Sequence, residues 1–306
     1  MKLHENLIYQ ETIFQIILKN IKHRLFSLLI KKSNNLFLRG GDVISISPQI
    51  FGIHEEPLTN LIKKFAKNGY KDFLIDIGAN IGLTSCQNGN DFDEVHMYEP
   101  NPLCCNILEV NATIALNSTQ FNIHKYGLGE VEKKVILTVP KHNWGGAFIK
   151  DSLNAYSDEL LASKDCFTSI DKNNYFEMDI LIKDTVSELN TLFQNLIQKG
   201  FKKGVIKIDV EGYELIVLLG IAKSLPPNIS IFIVFESWDD NLDLNMVIDA
   251  FKGRCNVKKI NRLIPWKKQW SKSRKFVSLL LNPIILTKIT EIPDNNYVGD
   301  LILEIS

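Results

Sequence analysis

Residues Phe73 to Ser85, FLIDIGANIGLTS, constrain the fold more than any other stretch of the chain. Phe73, Leu74, Ile75 and Ile77 form a short apolar run interrupted only by Asp76, the pattern of a strand buried on both faces. Gly78 then breaks the run in a tight turn before a helix. Gly78 and Gly82 bracket Ala79, Asn80 and Ile81, so an acidic strand end is followed by G-x-x-x-G. Glycine suits such a turn because it tolerates positive φ and lets a ligand approach the backbone. The spacing is not the G-x-G-x-x-G that seats a pyrophosphate in nicotinamide and flavin proteins, and it points to a different adenosine cofactor.

Strand and helix patterns alternate from Phe73 to Ile260. Val95 to Glu99 reads as a second strand, and its terminal Glu99 stands where dinucleotide folds place the acid that binds a ribose. Pro100 and Pro102 stop that strand and open a helix capped by Asn101, with Leu103, Ile107, Val110 and Ile114 expected on its buried face. Phe121 to Lys125 is a third strand, followed by Tyr126, Gly127, Leu128 and Gly129 near the place of an adenine ring. Val205 to Asp209 and Ile231 to Phe235 are further buried strands, the second followed at once by Glu236. A helix opened by Glu211, Gly212, Tyr213 and Glu214 lies between them. The alternation predicts an α/β fold, a Rossmann-like and mostly parallel sheet with helices on both faces. The last strand, Val298 to Ile305, has no helical crossover before it and is expected to be antiparallel. Ligands bind beyond the carboxyl ends of such strands, where Asp76, Glu99, Asp209 and Glu236 stand.

Residues 1–50 read as an N-terminal extension, an amphipathic helix from Leu7 to Ile30 and a lead-in strand from Val43 to Ser47. Residues 51–306 read as one domain with insertions near 143–174 and 262–296. The helix carries Phe14, Leu18, Ile21, Leu25 and Leu28 at helical spacing. It packs on the domain or a second subunit, making a homo-oligomer, or lies on a membrane surface with Lys19, Lys22, Arg24, Lys31 and Lys32 as a basic flank. Between Arg262 and Thr290 there are seven Lys or Arg and no acid, with Trp266 and Trp270 interleaved. That segment reads as a solvated basic hairpin, or as a contact for an anionic glycan, a carrier phosphate or an anionic membrane. The 35 basic and 35 acidic residues balance, which argues against nucleic acid as a partner. Five cysteines without a C-x-x-C pair give neither a disulfide framework nor a thiolate zinc site and fit a reducing cytoplasm. No apolar run reaches the roughly 20 residues that cross a bilayer, so a cytoplasmic location is expected.

Four stretches, FLIDIGANIGLTS, MYEPNP with the downstream Asn111, VIKIDVEGYELIVLLG and IFIVFES, resemble the FkbM family of S-adenosylmethionine-dependent methyltransferases. The similarity covers roughly Gly52 to Trp238. It departs at Asp179 to Ser187, where a Leu-Asp-x-Leu-like stretch is usual and this chain reads DILIKDTVS. The resemblance implies that Asp76, Gly78, Ala79, Asn80 and Gly82 hold the methionine part of S-adenosylmethionine and Glu99 the ribose hydroxyls. Pro100, Asn111 and Gly127 complete the expected cofactor contacts. Asp209, Glu211 and Glu236 are the candidate catalytic bases, Asp209 first, because Lys207 shares its strand face and would keep it ionised. His54 is a further candidate for the acceptor pocket. Asp209 and Glu236 would suit magnesium or calcium, but no His cluster supports a metal. The expected reaction is O-methylation of a sugar, glycan or secondary-metabolite hydroxyl, with an anionic acceptor if the basic segment contacts it. The alternatives are a nicotinamide-dependent sugar-nucleotide enzyme and a non-catalytic Rossmann-like binding protein.

Overall fold

In the computed structural model the apolar run is a strand buried at all five positions, Phe73–Ile77. The structure describes residues 12–29, 36–116, 119–154, 156–165, 167, 169–237, 243–263, 269–281, 286–292 and 298–306. The elements begin with α1 (Ile13–Leu29), α2 (Ile46–Phe51), α3 (Glu56–Lys67), β1 (Phe73–Ile77), α4 (Leu83–Asn88), β2 (Glu94–Tyr98), α5 (Pro102–Ala115) and β3 (Gln120–His124). There follow β4 (Gly127–Gly129), β5 (Lys133–Pro140), β6 (Phe148–Ile149), α6 (Asp158–Lys164), β7 (Tyr175–Asp184), α7 (Thr185–Gln198), β8 (Lys203–Ile208) and α8 (Glu214–Ser224). The last are β9 (Ser230–Ser237), α9 (Leu244–Ala250), β10 (Cys255–Leu263), α10 (Lys272–Leu281), β11 (Leu286–Glu291) and β12 (Gly299–Ile305).

The main sheet has the order β11-β10-β12-β9-β8-β1-β2-β3. β9, β8, β1, β2 and β3 are mutually parallel, and β12 runs antiparallel between β9 and β10, as expected for a last strand without a crossover. Because strand residues alternate faces, Phe73, Ile75 and Ile77 pack with Phe193, Val217 and Leu244 of α7, α8 and α9. Leu74 points the other way, into Leu61, Ile62, Cys104 and Leu108 of α3 and α5. Helices therefore cover both faces. Register sets Ile77 beside Tyr98 and Ile208, which brings the turns after β1, β2 and β8 level at one edge. A smaller sheet, β4-β7-β5-β6, stands beside it.

Three expectations need correction. Val43 to Ser47 is not a strand but a 3₁₀ turn running into α2, because Asp42 accepts a hydrogen bond from the Ile44 amide and caps it. On α5 the buried face is Cys104, Cys105, Leu108, Asn111 and Ala112, while Leu103, Val110 and Ile114 are more than a third exposed. The expected stripe was rotated by one residue, since the cysteines and Asn111 are as well buried as the aliphatics. The basic segment is not a simple hairpin, because α10 separates β10 from β11; Trp266 lies outside the described residues. Among the described residues no helix is long and apolar enough to cross a membrane.

Gly204 shows how tightly the centre is packed. It pairs with Phe73 across β8 and β1, and a Cβ there would lie 2.3 Å from the Phe73 ring. Gly204→Ala is expected to destabilise the fold by about 1–3 kcal/mol, seen as a lower denaturant midpoint at unchanged slope. An unchanged midpoint would show that the ring has room to turn.

Candidate active site

The site is assembled from the three level turns. Gly78 has φ +81°, and a Cβ on it would lie 1.9 Å from the Asp209 carbonyl oxygen, so the turns after β1 and β8 touch backbone to backbone. The Asp209 amide donates to Ile77 O at 2.9 Å, and the Gly78 and Ala79 amides both donate to Tyr98 O. Asn80 adopts the left-handed conformation, φ 51°, which asparagine tolerates better than most residues. Its amide then donates to Glu99 Oε2 at 2.8 Å, while the Asn101 amide donates to Oε1 at 2.7 Å. Burial pushes Glu99 up to about 7, against the pull of these two hydrogen bonds. Its carboxylate faces a cavity shared with Gly78, Asn80, Pro100, Gly127 and Leu128 and walled by Trp144 and Phe148 from the smaller sheet and its loops.

Beneath the turns sits Lys207, whose Nζ lies 3.3 Å from Asp76 Oδ1, 3.1 Å from Asp209 Oδ2 and 3.2 Å from the Gly78 carbonyl. Burial opposes its charge, but Asp209, Asp76 and Glu55 hold the ammonium above its ordinary range. In return, against desolvation, Lys207 holds Asp209 below the usual carboxylate value. The Asp209 side chain is 54% exposed to the cleft. Glu211 is only 12% exposed and paired with Lys164 of α6, and its desolvation pushes it up to about 7 despite that cation. Asp209 and Glu211 line both the cavity of Glu99 and an adjoining one that holds His54, Lys164, Lys207 and Glu236. A further cavity continues past Asp209, Glu236, Glu55 and Asp300. Burial lowers His54 to about 4, leaving it neutral at ordinary pH.

Gly78, Ala79, Asn80, Glu99, Pro100, Gly127, Asp209, Glu211 and Glu236 are thus brought to one connected cleft. Asp76, Gly82 and Asn111 lie behind its wall. Asp76 is fully buried and accepts from Ser85 Oγ at 2.6 Å. A Cβ on Gly82 would meet Leu108 of α5 at 2.6 Å. Asn111 accepts from the Phe37 amide and donates to the Phe37 and Ile81 carbonyls, so its amide braces the glycine turn from the rear. Sequence reasoning missed Lys164 and Asn154. Asn154 donates to the Glu211 carbonyl at 2.9 Å, and a Cβ on Gly212 would meet it at 1.8 Å. Neither residue carries a pattern that would have singled it out; the tight G-Y after Glu211 was the nearest signal.

The cleft fits an adenosine cofactor with a charged amino-acid tail. Asn80, in the wall of both cavities, has a buried Oδ1 without a hydrogen-bond partner, an acceptor available to an ammonium group. Each Glu99 oxygen spends one lone pair on a backbone amide and keeps another for a hydroxyl. Leu128, Ile182 and Phe148 supply apolar walls for a ring. Residues 76–249, more than half the chain, match the Methyltransferase FkbM domain. The chain belongs to the FkbM methyltransferase family. It is an enzyme of the S-adenosylmethionine-dependent class.

Solved structures similar to this FkbM methyltransferase include the O-methyltransferase TomG from Streptomyces achromogenes, in complex with SAM, at 9% identity and TM-score 0.43, covering 94% of this chain and 96% of that one. An O-methyltransferase from Bacillus cereus, in complex with SAH, gives 9% identity and TM-score 0.39 over 98% and 94% of the two chains. No curated protein matches the chain. Among the described residues of this FkbM methyltransferase, no group of three or more His, Cys, Asp or Glu is gathered to hold a metal ion.

Proposed function

We propose that this FkbM methyltransferase methylates a hydroxyl group of a sugar, a glycan or a secondary metabolite. The observation that carries the reading is Glu211, a carboxyl near 7 at the junction of the cofactor cleft and the carboxylate-lined cavity. S-adenosylmethionine supplies a methyl group already activated on a sulfonium, so positioning can provide up to about 7–11 kcal/mol of the acceleration. A hydroxyl acceptor must still lose a proton, and a base whose pKa lies near the working pH serves best. Asp209, held ionised by Lys207, orients the acceptor hydroxyl and faces the positive charge of the donor. Glu55, Asp209, Glu236 and Asp300 around the outer cavity favour an uncharged or cationic acceptor over an anionic one.

Two measurements test this. Calorimetric titration with S-adenosylhomocysteine checks the donor side, and absence of binding would refute it. Labelled S-adenosylmethionine incubated with a panel of glycans and cell extracts checks the acceptor. Label recovered as an O-methyl ether supports the reading, and label on nitrogen overturns it.

A further inference from the structure

α1 presents an exposed apolar stripe. Thr12 and Gln15 form a reciprocal capping box at its start: the Gln15 amide donates to Thr12 Oγ1, and the Thr12 amide donates to Gln15 Oε1. Phe14, Leu18, Ile21 and Leu25 recur at spacings of four, three and four, one stripe of a helix, and are 38–71% exposed. Every described side chain of α1 is exposed. In proteins most of a helix's stability comes from packing its apolar face rather than from intrinsic propensity. The chain continues from α1 to Phe37, which is clamped to α5 by Asn111, and to Arg39, whose guanidinium stacks on Trp144 in the cofactor-cavity wall. The exposed stripe is therefore tethered a short length of chain from the site.

Charge selects the partner. Residues 12–32 hold five Lys or Arg and no Asp or Glu. Two copies joined along the stripe would bring like-charged residues of both helices to one seam, whereas paired helices normally set opposite charges beside the seam. An anionic bilayer satisfies both halves of the helix, the apolar stripe in the acyl boundary and the basic face among the headgroups. α10 repeats the chemistry with Lys272, Arg274 and Lys275 next to exposed Phe276 and Val277. β10, which precedes α10 in the chain, finishes at the end of the sheet that holds the site. We infer that α1 docks this enzyme in the plane of an anionic lipid surface.

The full-length protein is mixed with vesicles of phosphatidylcholine containing about one third phosphatidylglycerol, and with vesicles of phosphatidylcholine alone, and sedimented. Binding is expected to the anionic vesicles and to fall steeply in about 0.5 M salt. Each Lys or Arg near such a surface contributes about five-fold in affinity, so Lys19→Gln with Lys22→Gln should weaken binding about 25-fold. Ile17→Asp with Ile21→Asp should abolish it while S-adenosylhomocysteine affinity stays unchanged, showing that the variant is folded. No binding, or equal binding to both vesicles, overturns the inference. So does a wild-type dimer that becomes a monomer in the Ile17→Asp, Ile21→Asp variant without any vesicle binding, which would make α1 a subunit interface.

Discussion

Glu99→Ala is expected to weaken S-adenosylhomocysteine binding by about 10²–10⁴-fold, measured by calorimetry. Two hydroxyl bonds to a carboxylate are worth about 1.5–3 kcal/mol each, which gives that range. The structure adds a second loss, because the same carboxylate accepts the amides of Asn80 and Asn101 and its removal leaves both without their partner. Glu99→Gln should do little better. A glutamine offers one acceptor oxygen and an NH₂, so one backbone N–H would face another donor. Protonation poses the same difficulty: burial holds Glu99 up to about 7, while a ribose favours the ionised form that accepts its hydroxyls. Affinity should therefore rise with pH up to about 7 and level off above it. A flat profile across that range, together with wild-type affinity in Glu99→Gln, would remove Glu99 from the ribose site.

The turns that line the cavity of Glu99 were legible in the sequence because their parts are local. Gly78, Asn80 and Glu99 sit at strand ends that apolar runs mark, and the parallel register that levels those ends follows from the β-α-β alternation. What sequence pattern could not resolve is which side of an element a residue faces. Asn111 falls on the buried side of α5 beside Cys104 and Leu108, and there its amide holds the Phe37 strap and the glycine turn. Asp76, read from the sequence as a cofactor contact, is fully buried and lies 3.3 Å from Lys207 Nζ. Val43 to Ser47 alternates like a strand, yet a single hydrogen bond from the Ile44 amide to Asp42 starts a helical turn instead. The surroundings of Glu211, the proposed acceptor side, were least legible because they are built from distant contacts. Lys164 reaches Glu211 from forty-seven residues upstream in sequence, and no periodicity announces such a pair.

In the proposed reaction that pair favours Glu211 over Asp209 as the group that takes the proton. Glu211→Gln is expected to lower turnover by about 10²–10⁴-fold with S-adenosylhomocysteine affinity kept within a few-fold. Asp209, though nearer the open cleft, is held below the ordinary carboxylate range by Lys207 and is a weak proton acceptor. Asp209→Asn should instead raise KM more than it lowers kcat, because it removes an orienting acceptor and leaves Lys207 with Asp76. The pH profile separates the two roles. Glu211 must be ionised to act, and its desolvated carboxyl lies at about 7, so wild-type kcat should climb with pH to a plateau just above that value. The climb should persist in Asp209→Asn and vanish in Glu211→Gln. Lys164→Met gives an independent check on the same group: without the neighbouring cation the ionised form of Glu211 is less favoured, its pKa rises, and the climb moves to higher pH. A climb that survives in Glu211→Gln, disappears in Asp209→Asn and ignores Lys164→Met would transfer the proton to Asp209.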